Sequence, residues 1–309
     1  PPMRFTITAS SSALFSTWIF VDELGLLLDA GDGVSAALMQ KSRKVKHVFI
    51  THADRDHMCG LLQLNQLNAR DGIPDIYYPS DCGSFPALRD FMGKFDPQSG
   101  PATWEGIRPD RSIGIGNDIS VLARASAHVE AEGSQCKALE YTVQRSVRHL
   151  REEFKGLHGS EIARIREERG VEAITDSCFE KLIGYSGDSP KLDPERWKGV
   201  RTLIHESTFL EQGTAHGAHS NLPQVMRAAS DLDLDALILM HFSTRYRSRE
   251  IRDAVEAVTQ SVMPKFPVYA LLPGEVVRGL RQVEQAVGGR DAGSRRQPHR
   301  NRRAQGNAA

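Results

Sequence analysis

The pattern of apolar and polar residues predicts that the chain begins with β-strands. Phe5–Thr8 and Trp18–Val21 are rich in β-branched and aromatic residues, and Leu26–Leu28 is typical of a buried strand before a Gly/Asp turn. Helical spacing follows over Val34–Lys41, and Val45–Ile50 is again strand-like. The first fifty residues therefore predict a strand meander, a helix and a buried strand.

The remaining pattern alternates between strands and helices. Leu61, Leu64 and Leu67 recur every three residues, which predicts a buried helix. Further helices are predicted at 85–95, 221–230 and 248–260, and further strands at 76–79, within 101–144, and at 182–185, 202–204 and 236–240. This order predicts two sheets packed together with helices outside.

Residues 145–170 have a different pattern. Their mixed charge surrounds two helical patterns joined by residues 156–159, with Ser160 as the predicted cap of the second helix and Gly170 as its end. One interpretation is an ordinary solvated helical pair. The other is an inserted arm or cover that faces the substrate.

Composition narrows the class of protein. A length of 309 residues allows one large α/β domain or two smaller ones. No apolar run approaches the ~18 residues of a membrane span, and the start of the chain does not resemble a signal peptide. Four cysteines without a CxxC pair favour a reduced, cytoplasmic setting and argue against a structural zinc site.

Charge is unevenly distributed, although the formal net charge is zero. Residues 286–309 contain six arginines and one acid, Asp291, which leaves 33 basic and 38 acidic residues, about −5, elsewhere. This segment lacks apolar periodicity, so it is predicted to be a disordered basic tail. Such a tail is either simply solvated or holds nucleic acid through its phosphates.

The segment Thr51–His57, Thr-His-Ala-Asp-Arg-Asp-His, carries the clearest chemistry. Four of its side chains are metal-ligand types: His52, Asp54, Asp56 and His57. They are too close in sequence to surround one ion tetrahedrally, but a turn can divide them between two adjacent metals.

More acidic and histidine residues follow strand-like runs: His128, Asp188, His205, Glu206 and His241. Because strand ends at one edge of a sheet converge, these groups can form one site. A metal pair held by His and Asp can activate a bridging water and neutralise charge on a phosphoryl or acyl group. A single histidine at a strand end is usually an ordinary polar residue, but seven such positions, four of them inside one six-residue motif, favour the metal site.

The motif resembles the metallo-β-lactamase superfamily, whose signature is His-x-His-x-Asp-His followed by later His, Asp and His ligands. Within it, the chain resembles the ribonuclease Z branch, endonucleases that trim the 3′ trailer from precursor tRNA. The resembling segments lie in order between about residues 5 and 247: Leu26–Gly33, Phe49–His52, Tyr185–Ser189, Leu203–Phe209, Ala218–Ser220 and Leu239–Tyr246. The resemblance implies a four-layer αββα sandwich of the α/β class, with residues 1–285 as one hydrolase domain.

The resemblance also implies two divalent metal ions, with zinc as the default. One ion would be held by His52, Asp54 and His128, and the other by Asp56, His57 and His241. Asp188 would bridge the two ions. Asp56 would also orient the attacking hydroxide. Glu206 and His219 match the outer pair of the family, in which histidine helps to protonate the departing oxygen. From sequence alone, Glu206 could equally cap a helix and His219 could be an exposed loop residue.

Two features depart from this family. Asp54 stands where the family has histidine, so three aspartates and a hydroxide would balance the charge of two divalent ions. This should favour harder ions such as Mn²⁺ or Mg²⁺ and weaken anion binding. The interval between His128 and Asp188 also has no Gly-Pro pair, so it is nearer to short forms that lack the tRNA-binding exosite of many bacterial relatives.

Three functions remain open at this point. The first is a metal-dependent phosphodiesterase of the ribonuclease Z type that cleaves tRNA precursors at the 3′ side by a metal-activated hydroxide. The second is a binuclear-metal hydrolase of a small phosphodiester, sulfate ester or acyl ester. The third, suggested by Asp54 and the basic tail, is a weakly active or inactive binding module. The resemblance further suggests a homodimer in which the arm of one subunit serves the other.

Overall fold

Two mixed β-sheets lie face to face in the computed structural model, which describes residues 5–213 and 217–279. The first sheet has the strand order β14-β1-β2-β3-β4-β5-β6 and contains β1 (Ile7–Ser12), β2 (Ser16–Val21), β3 (Leu26–Leu28), β4 (His47–Phe49), β5 (Asp75–Pro79), β6 (Thr103–Ile107) and β14 (Val277–Arg278). The second has the order β13-β12-β11-β10-β9-β8-β7 and contains β7 (Ser112–Gly116), β8 (Ile119–Ala125), β9 (Leu139–Leu150), β10 (Thr175–Tyr185), β11 (Val200–Glu206), β12 (Ala236–Met240) and β13 (Val268–Ala270).

Helices occupy the connections between these strands. The α-helices are α1 (Val34–Leu38), α2 (Arg55–Met58), α3 (Leu61–Asn68), α4 (Ser84–Phe95), α5 (Gly159–Arg169), α6 (Val171–Ile174), α7 (Pro194–Trp197), α8 (Leu222–Ala229) and α9 (Ser248–Val262). Short 3₁₀ turns occur at Asp22–Leu24, Met39–Lys44, Pro97–Ser99 and Glu152–Phe154.

Strand β12 shows how the layers are filled. Its residues are all buried, and because side chains alternate along a strand, Ile238 and Met240 face the core between the sheets while Leu237 and Leu239 face the outer helices. Helices α8 and α9 cover that outer face, and α1, α3 and α4 cover the outer face of the first sheet. The sandwich with helices outside, predicted from the sequence, is confirmed.

Strand direction determines where the loops meet. The strands β3, β4, β5 and β6 are parallel to one another, as are β10, β11, β12 and β13. Strand β8 is antiparallel to β9, which is antiparallel to β10, so β8 also points the same way as β10. Loops that follow β8, β10, β11 and β12 therefore leave the second sheet at one edge.

The segment 145–170 is only partly as predicted. Its first helical pattern is wrong, because β9 continues to Leu150 and pairs antiparallel with β10. The second helix exists as α5 and ends at Gly170 as predicted, but its N-cap is His158 and not Ser160. The buried helix predicted around residue 64 is also present as α3, although Leu67 is exposed.

Two further predictions concern the ends of the chain and membranes. The basic tail predicted for residues 286–309 lies outside the described residues. Within the described ranges, no helix is both long enough and apolar enough to cross a membrane.

Candidate metal centre

The predicted ligand residues lie together where the strands end. His52 follows β4 by three residues, Asp188 follows β10 by three, and His241 comes directly after β12. His128 follows β8 by three residues, and Asp54, Asp56 and His57 lie at the start of α2. Residues far apart in sequence thus meet at the common edge of the two sheets.

One group consists of His52, Asp54 and His128. The Oδ2 atom of Asp54 lies 3.5 Å from His52 Nε2 and 3.9 Å from His128 Nε2. Both imidazoles are nearly inaccessible to solvent, whereas the Asp54 side chain is 63% exposed. This group therefore opens towards solvent through its carboxylate.

The other group consists of Asp56, His57 and His241 and is more enclosed. Asp56 Oδ2 lies 3.1 Å from His241 Nε2 and 3.5 Å from His57 Nε2. All three residues are buried. In each group the ligand-type atoms lie within 4.8 Å of one another, a spacing that a single ion can span.

Asp188 lies between the two groups. Its Oδ1 atom is 3.3 Å from His57 Nε2 and 3.4 Å from His241 Nε2. Its Oδ2 atom is 3.7 Å from His52 Nε2 and 3.8 Å from His128 Nε2. Each oxygen of this buried carboxylate therefore faces a different pair of histidines, as the bridging position requires.

Three buried atoms of the centre have no hydrogen-bond partner: His52 Nε2, His57 Nε2 and Asp188 Oδ1. Buried polar atoms without partners are costly and rare, and they call for an explanation such as a bound ion. Imidazole nitrogen and carboxylate oxygen are ordinary ligands of divalent metals. The residues present therefore fit two divalent cations.

Each imidazole of the centre is held through its Nδ1 atom. His57 Nδ1 donates to Asp29 at 2.7 Å, and His128 Nδ1 donates to the Ala218 carbonyl at 3.0 Å. His52 and His241 bond the hydroxyls of Thr51 and Thr208 at 2.9 and 3.0 Å; these hydroxyls give their own hydrogens to carboxylates, so they accept here. All four rings therefore turn Nε2 towards the centre, which is the atom left free to ligate a metal.

Asp29 is the main support residue that sequence reasoning missed. Its wholly buried carboxylate accepts hydrogen bonds from His57 Nδ1, the Tyr185 hydroxyl at 2.6 Å, and the amide and hydroxyl of Thr51. The available signal was its position directly after the buried strand β3 and before a Gly-Asp-Gly turn.

The acidic groups of the centre are ionised. Burial raises the pKa of Asp188, but His241 and His57 outweigh it and hold that pKa well below the usual range. The imidazoles of His128 and His52 likewise hold the pKa of Asp54 well below normal. Burial lowers the pKa of His52, which favours its neutral, ligating form. Burial also lowers the pKa of His57, but Asp188 and Asp29 outweigh it and raise that pKa well above its usual value, so a cation bound at the centre would displace a proton from this ring.

Glu206 and His219 form a second pair beside Asp188. His219 Nδ1 lies 3.0 Å from Glu206 Oε1 and 3.8 Å from Asp188 Oδ2. The buried Glu206 carboxylate is fixed by backbone N–H groups of Ser189, Thr208 and Ser220. Burial lowers the pKa of His219, but Glu206 outweighs it and raises the pKa above its normal value. By contrast, His205 belongs to none of the metal-capable groups among the described residues.

Comparison with known proteins finds relatives of similar sequence but no matching family model. The search against family models gave no match. A chloroplastic tRNase Z of Arabidopsis thaliana is 28% identical over 284 residues, which cover 84% of this chain and 74% of the relative. A second tRNase Z of Arabidopsis thaliana is 27% identical and covers 84% of this chain and 91% of the relative.

Solved structures share the fold of this chain. The metallo-β-lactamase fold protein YhfI from Bacillus subtilis matches with a TM-score of 0.56 at 15% identity, covering 89% of this chain and all of YhfI. The short form of human tRNase Z matches with a TM-score of 0.55 at 16% identity, covering 88% and 98%.

The chain has the metallo-β-lactamase fold. Its sequence is similar to that of ribonuclease Z over most of its length, which confirms the predicted resemblance. The αββα sandwich of this metallo-β-lactamase-fold protein carries the histidine and aspartate residues at the sheet edge. Its departure from the family signature, Asp54, lies at the open side of the centre.

Proposed function

We propose that this protein is a metal-dependent phosphodiesterase that cleaves tRNA precursors at the 3′ side, as the names of its relatives suggest. The single observation that carries the proposal is the position of Asp188, with one carboxylate oxygen towards each histidine pair. Zinc is the metal we propose first, with Mn²⁺ or Mg²⁺ as alternatives because Asp54 adds a hard oxygen ligand.

The residues of the centre would divide the work. One ion would be held by His52, Asp54 and His128, and the other by Asp56, His57 and His241. Asp188 would contribute to both sites. When bound, two such ions supply Lewis-acid activation of a water and neutralise charge on the phosphoryl group. Asp56 would orient the attacking water, since its Oδ2 atom is fixed by the Leu14 amide at 3.0 Å.

Glu206 and His219 would handle the proton at the leaving group. Glu206 accepts from His219 Nδ1 and favours the protonated ring, which leaves Nε2 to donate a proton to the departing oxygen. The carboxylate is itself immobilised by three backbone amides, so the ring is held in one orientation. Neutralising the departing oxygen in this way makes it a better leaving group.

A small phosphodiester, sulfate ester or acyl ester is the second candidate substrate. The observation that favours it is the exposed Asp54 carboxylate at the open side of the centre, which repels a polyanion. A weakly active binding module is the third candidate. A cytoplasmic location and a homodimer are proposals that rest on the four free cysteines and on the family resemblance, respectively.

An assay of precursor tRNA beside bis(p-nitrophenyl) phosphate, with Zn²⁺, Mn²⁺ and Mg²⁺ supplied separately, tests the function. Cleavage of tRNA should weaken by a factor of ~10³ or more between ~50 and ~200 mM salt, because several phosphate contacts release counterions. Hydrolysis of the small ester should hardly respond. The second candidate would be favoured if the protein does not cleave precursor tRNA and hydrolyses the small ester at a rate that does not depend on salt.

The substitution Asp54→His tests the role of Asp54 as a metal ligand. Imidazole is softer than carboxylate, so the ratio of Zn²⁺ affinity to Mn²⁺ affinity should be roughly tenfold higher in the variant than in the parent. The variant should also hydrolyse phosphodiesters faster. Competitive metal titration and steady-state kinetics measure the two effects. Unchanged metal preference, together with an equal or lower rate for every metal, would contradict the assignment.

A further inference from the structure

The tip of the hairpin between β1 and β2 exposes two large apolar side chains beside the metal centre. Leu14 is 84% exposed and Phe15 is 64% exposed, whereas the preceding Ala13 is buried. Such side chains add little to the core, since they are not removed from water in the folded chain. Their place at the centre therefore needs another explanation.

The backbone of Leu14 is also strained. Its φ of 70° lies in the left-handed region, which costs a leucine about 1 kcal/mol or more and suits glycine. Both the exposure and the backbone conformation of Leu14 thus run against stability. Local violations of this kind are expected where function, and not folding, selects the residue.

Three hydrogen bonds fix the tip against the catalytic loops. The Leu14 amide donates to Asp56 Oδ2 at 3.0 Å, and the Ala13 amide donates to the Phe242 carbonyl at 3.3 Å. The amide of His241 donates to Ser11 Oγ at 2.9 Å. The apolar tip is therefore held at a constant distance from the carboxylate that we assign to water orientation.

Covalent geometry then keeps the backbone of both residues close to the carboxylate that we assign to water orientation. The Cα atom of Leu14 lies at most ~4.5 Å from Asp56 Oδ2, and the Cα atom of Phe15 at most ~8.3 Å from it, since consecutive Cα atoms are ~3.8 Å apart. A group attached next to the reacting phosphorus would meet this tip. Its surface is apolar and aromatic, so it suits a flat apolar group better than a phosphate.

We propose that Leu14 and Phe15 form a stacking platform for an unpaired nucleobase that flanks the scissile phosphodiester. This inference rests on the proposed function and specifies its substrate: RNA that is single-stranded at the cleavage point. A base in a duplex has both faces covered by its neighbours, whereas an unpaired base offers a face to Phe15. Sequence preference is expected to be weak, because every base has such a face.

The test combines a protein change with a substrate change. Phe15→Ala is compared with the parent on a precursor tRNA and on the same RNA with one flanking nucleotide made abasic, first on one side of the cleaved bond and then on the other. Loss of stacking should raise KM for the intact RNA by about 5- to 150-fold and change kcat less. When the missing base is the one that stacks on Phe15, the KM values of the two proteins should differ by less than about twofold.

Two companion variants separate contact from folding. Leu14→Gly relieves the backbone strain, so its thermal midpoint should equal or exceed that of the parent while KM rises. Phe179→Ala is the matched control, because Phe179 is 60% exposed but lies six residues before the end of β10, roughly 20 Å from the centre. Its KM should match that of the parent.

The outcomes are distinct. A parent enzyme that leaves the precursor uncut would overturn the proposed function and the platform together. The platform alone would be overturned if the parent cleaves the precursor and Phe15→Ala has the same KM as the parent. It would also be overturned if Phe15→Ala raises KM equally on intact and abasic RNA. A lower thermal midpoint in Leu14→Gly would mean that the tip serves folding.

Discussion

The variant Asp56→Ala is expected to lose hydrolytic activity by a factor of at least ~10³ while the protein remains folded. Asp56 is assigned two tasks, because it would hold an ion with His57 and His241 and would orient the attacking water. Each factor of ten in rate corresponds to ~1.4 kcal/mol, so the loss amounts to about 4 kcal/mol of transition-state stabilisation. Steady-state kinetics on bis(p-nitrophenyl) phosphate provide the measurement.

The fold should survive this change because the Asp56 side chain contacts few structural groups. Its polar contacts are His241 Nε2, His57 Nε2 and the Leu14 amide, and all three belong to the site. Asp71→Ala, which removes an exposed aspartate after α3, serves as the control and should keep full activity. Normal turnover in folded Asp56→Ala would rule out the mechanism proposed for this residue.

The variant Asp29→Asn should lower the free energy of unfolding by about 3 kcal/mol or more. The carboxylate is wholly buried and accepts only, whereas an amide would turn a donor towards the Tyr185 hydroxyl, His57 Nδ1 or the Thr51 amide. Asparagine tolerates the φ of 57° at this position, so the effect reports on the carboxylate and not on the backbone.

Urea unfolding in the presence of a chelator measures this cost without any contribution from metal binding. Loss of the orienting carboxylate should also weaken metal affinity by ~10- to 100-fold. Asp32→Asn changes an exposed aspartate three residues later and should shift the free energy of unfolding by less than about 0.5 kcal/mol. Equal stability of Asp29→Asn and the parent would show that this buried network is not a structural support.

The position of the metal centre was predictable because its ligands sit at strand ends. Val48 and Phe49 in β4 lead to His52, and the buried run of β12 leads to His241. Apolar runs of this kind indicate buried strands, and convergence at one sheet edge follows from parallel strand order. Local pattern placed these residues at the sheet edge together with His205, and only the resemblance to ribonuclease Z separated the predicted ligands from His205.

The helical pattern wrongly predicted after residue 145 shows what local pattern leaves out. Arg145, Arg148 and Arg151 have a spacing of three that fits a helix, but the first two lie in β9 and the third directly after it. Their ion-pair partners are Glu180 and Asp176 in β10 and Glu172 in α6. The partners lie between 24 and 35 residues away in sequence. Long-range pairing of this kind decided the structure, and no short window of sequence contains it.

The hydrogen-bond network around Asp29 was missed for the same reason. Asp29 meets Tyr185 across 156 residues, and Thr51 joins them from a third strand end. Each residue alone has an ordinary type and position. Only the packing of the two sheets against each other brings the carboxylate and its donors together.

The most direct test is the number of divalent ions that each chain retains after reconstitution with Zn²⁺ and removal of free metal, measured by plasma mass spectrometry. Two groups of ligands joined by Asp188 predict about two ions per chain for the parent protein. Asp188→Ala should retain fewer, since both groups lose a shared ligand. Fewer than about one ion per parent chain would contradict the binuclear centre.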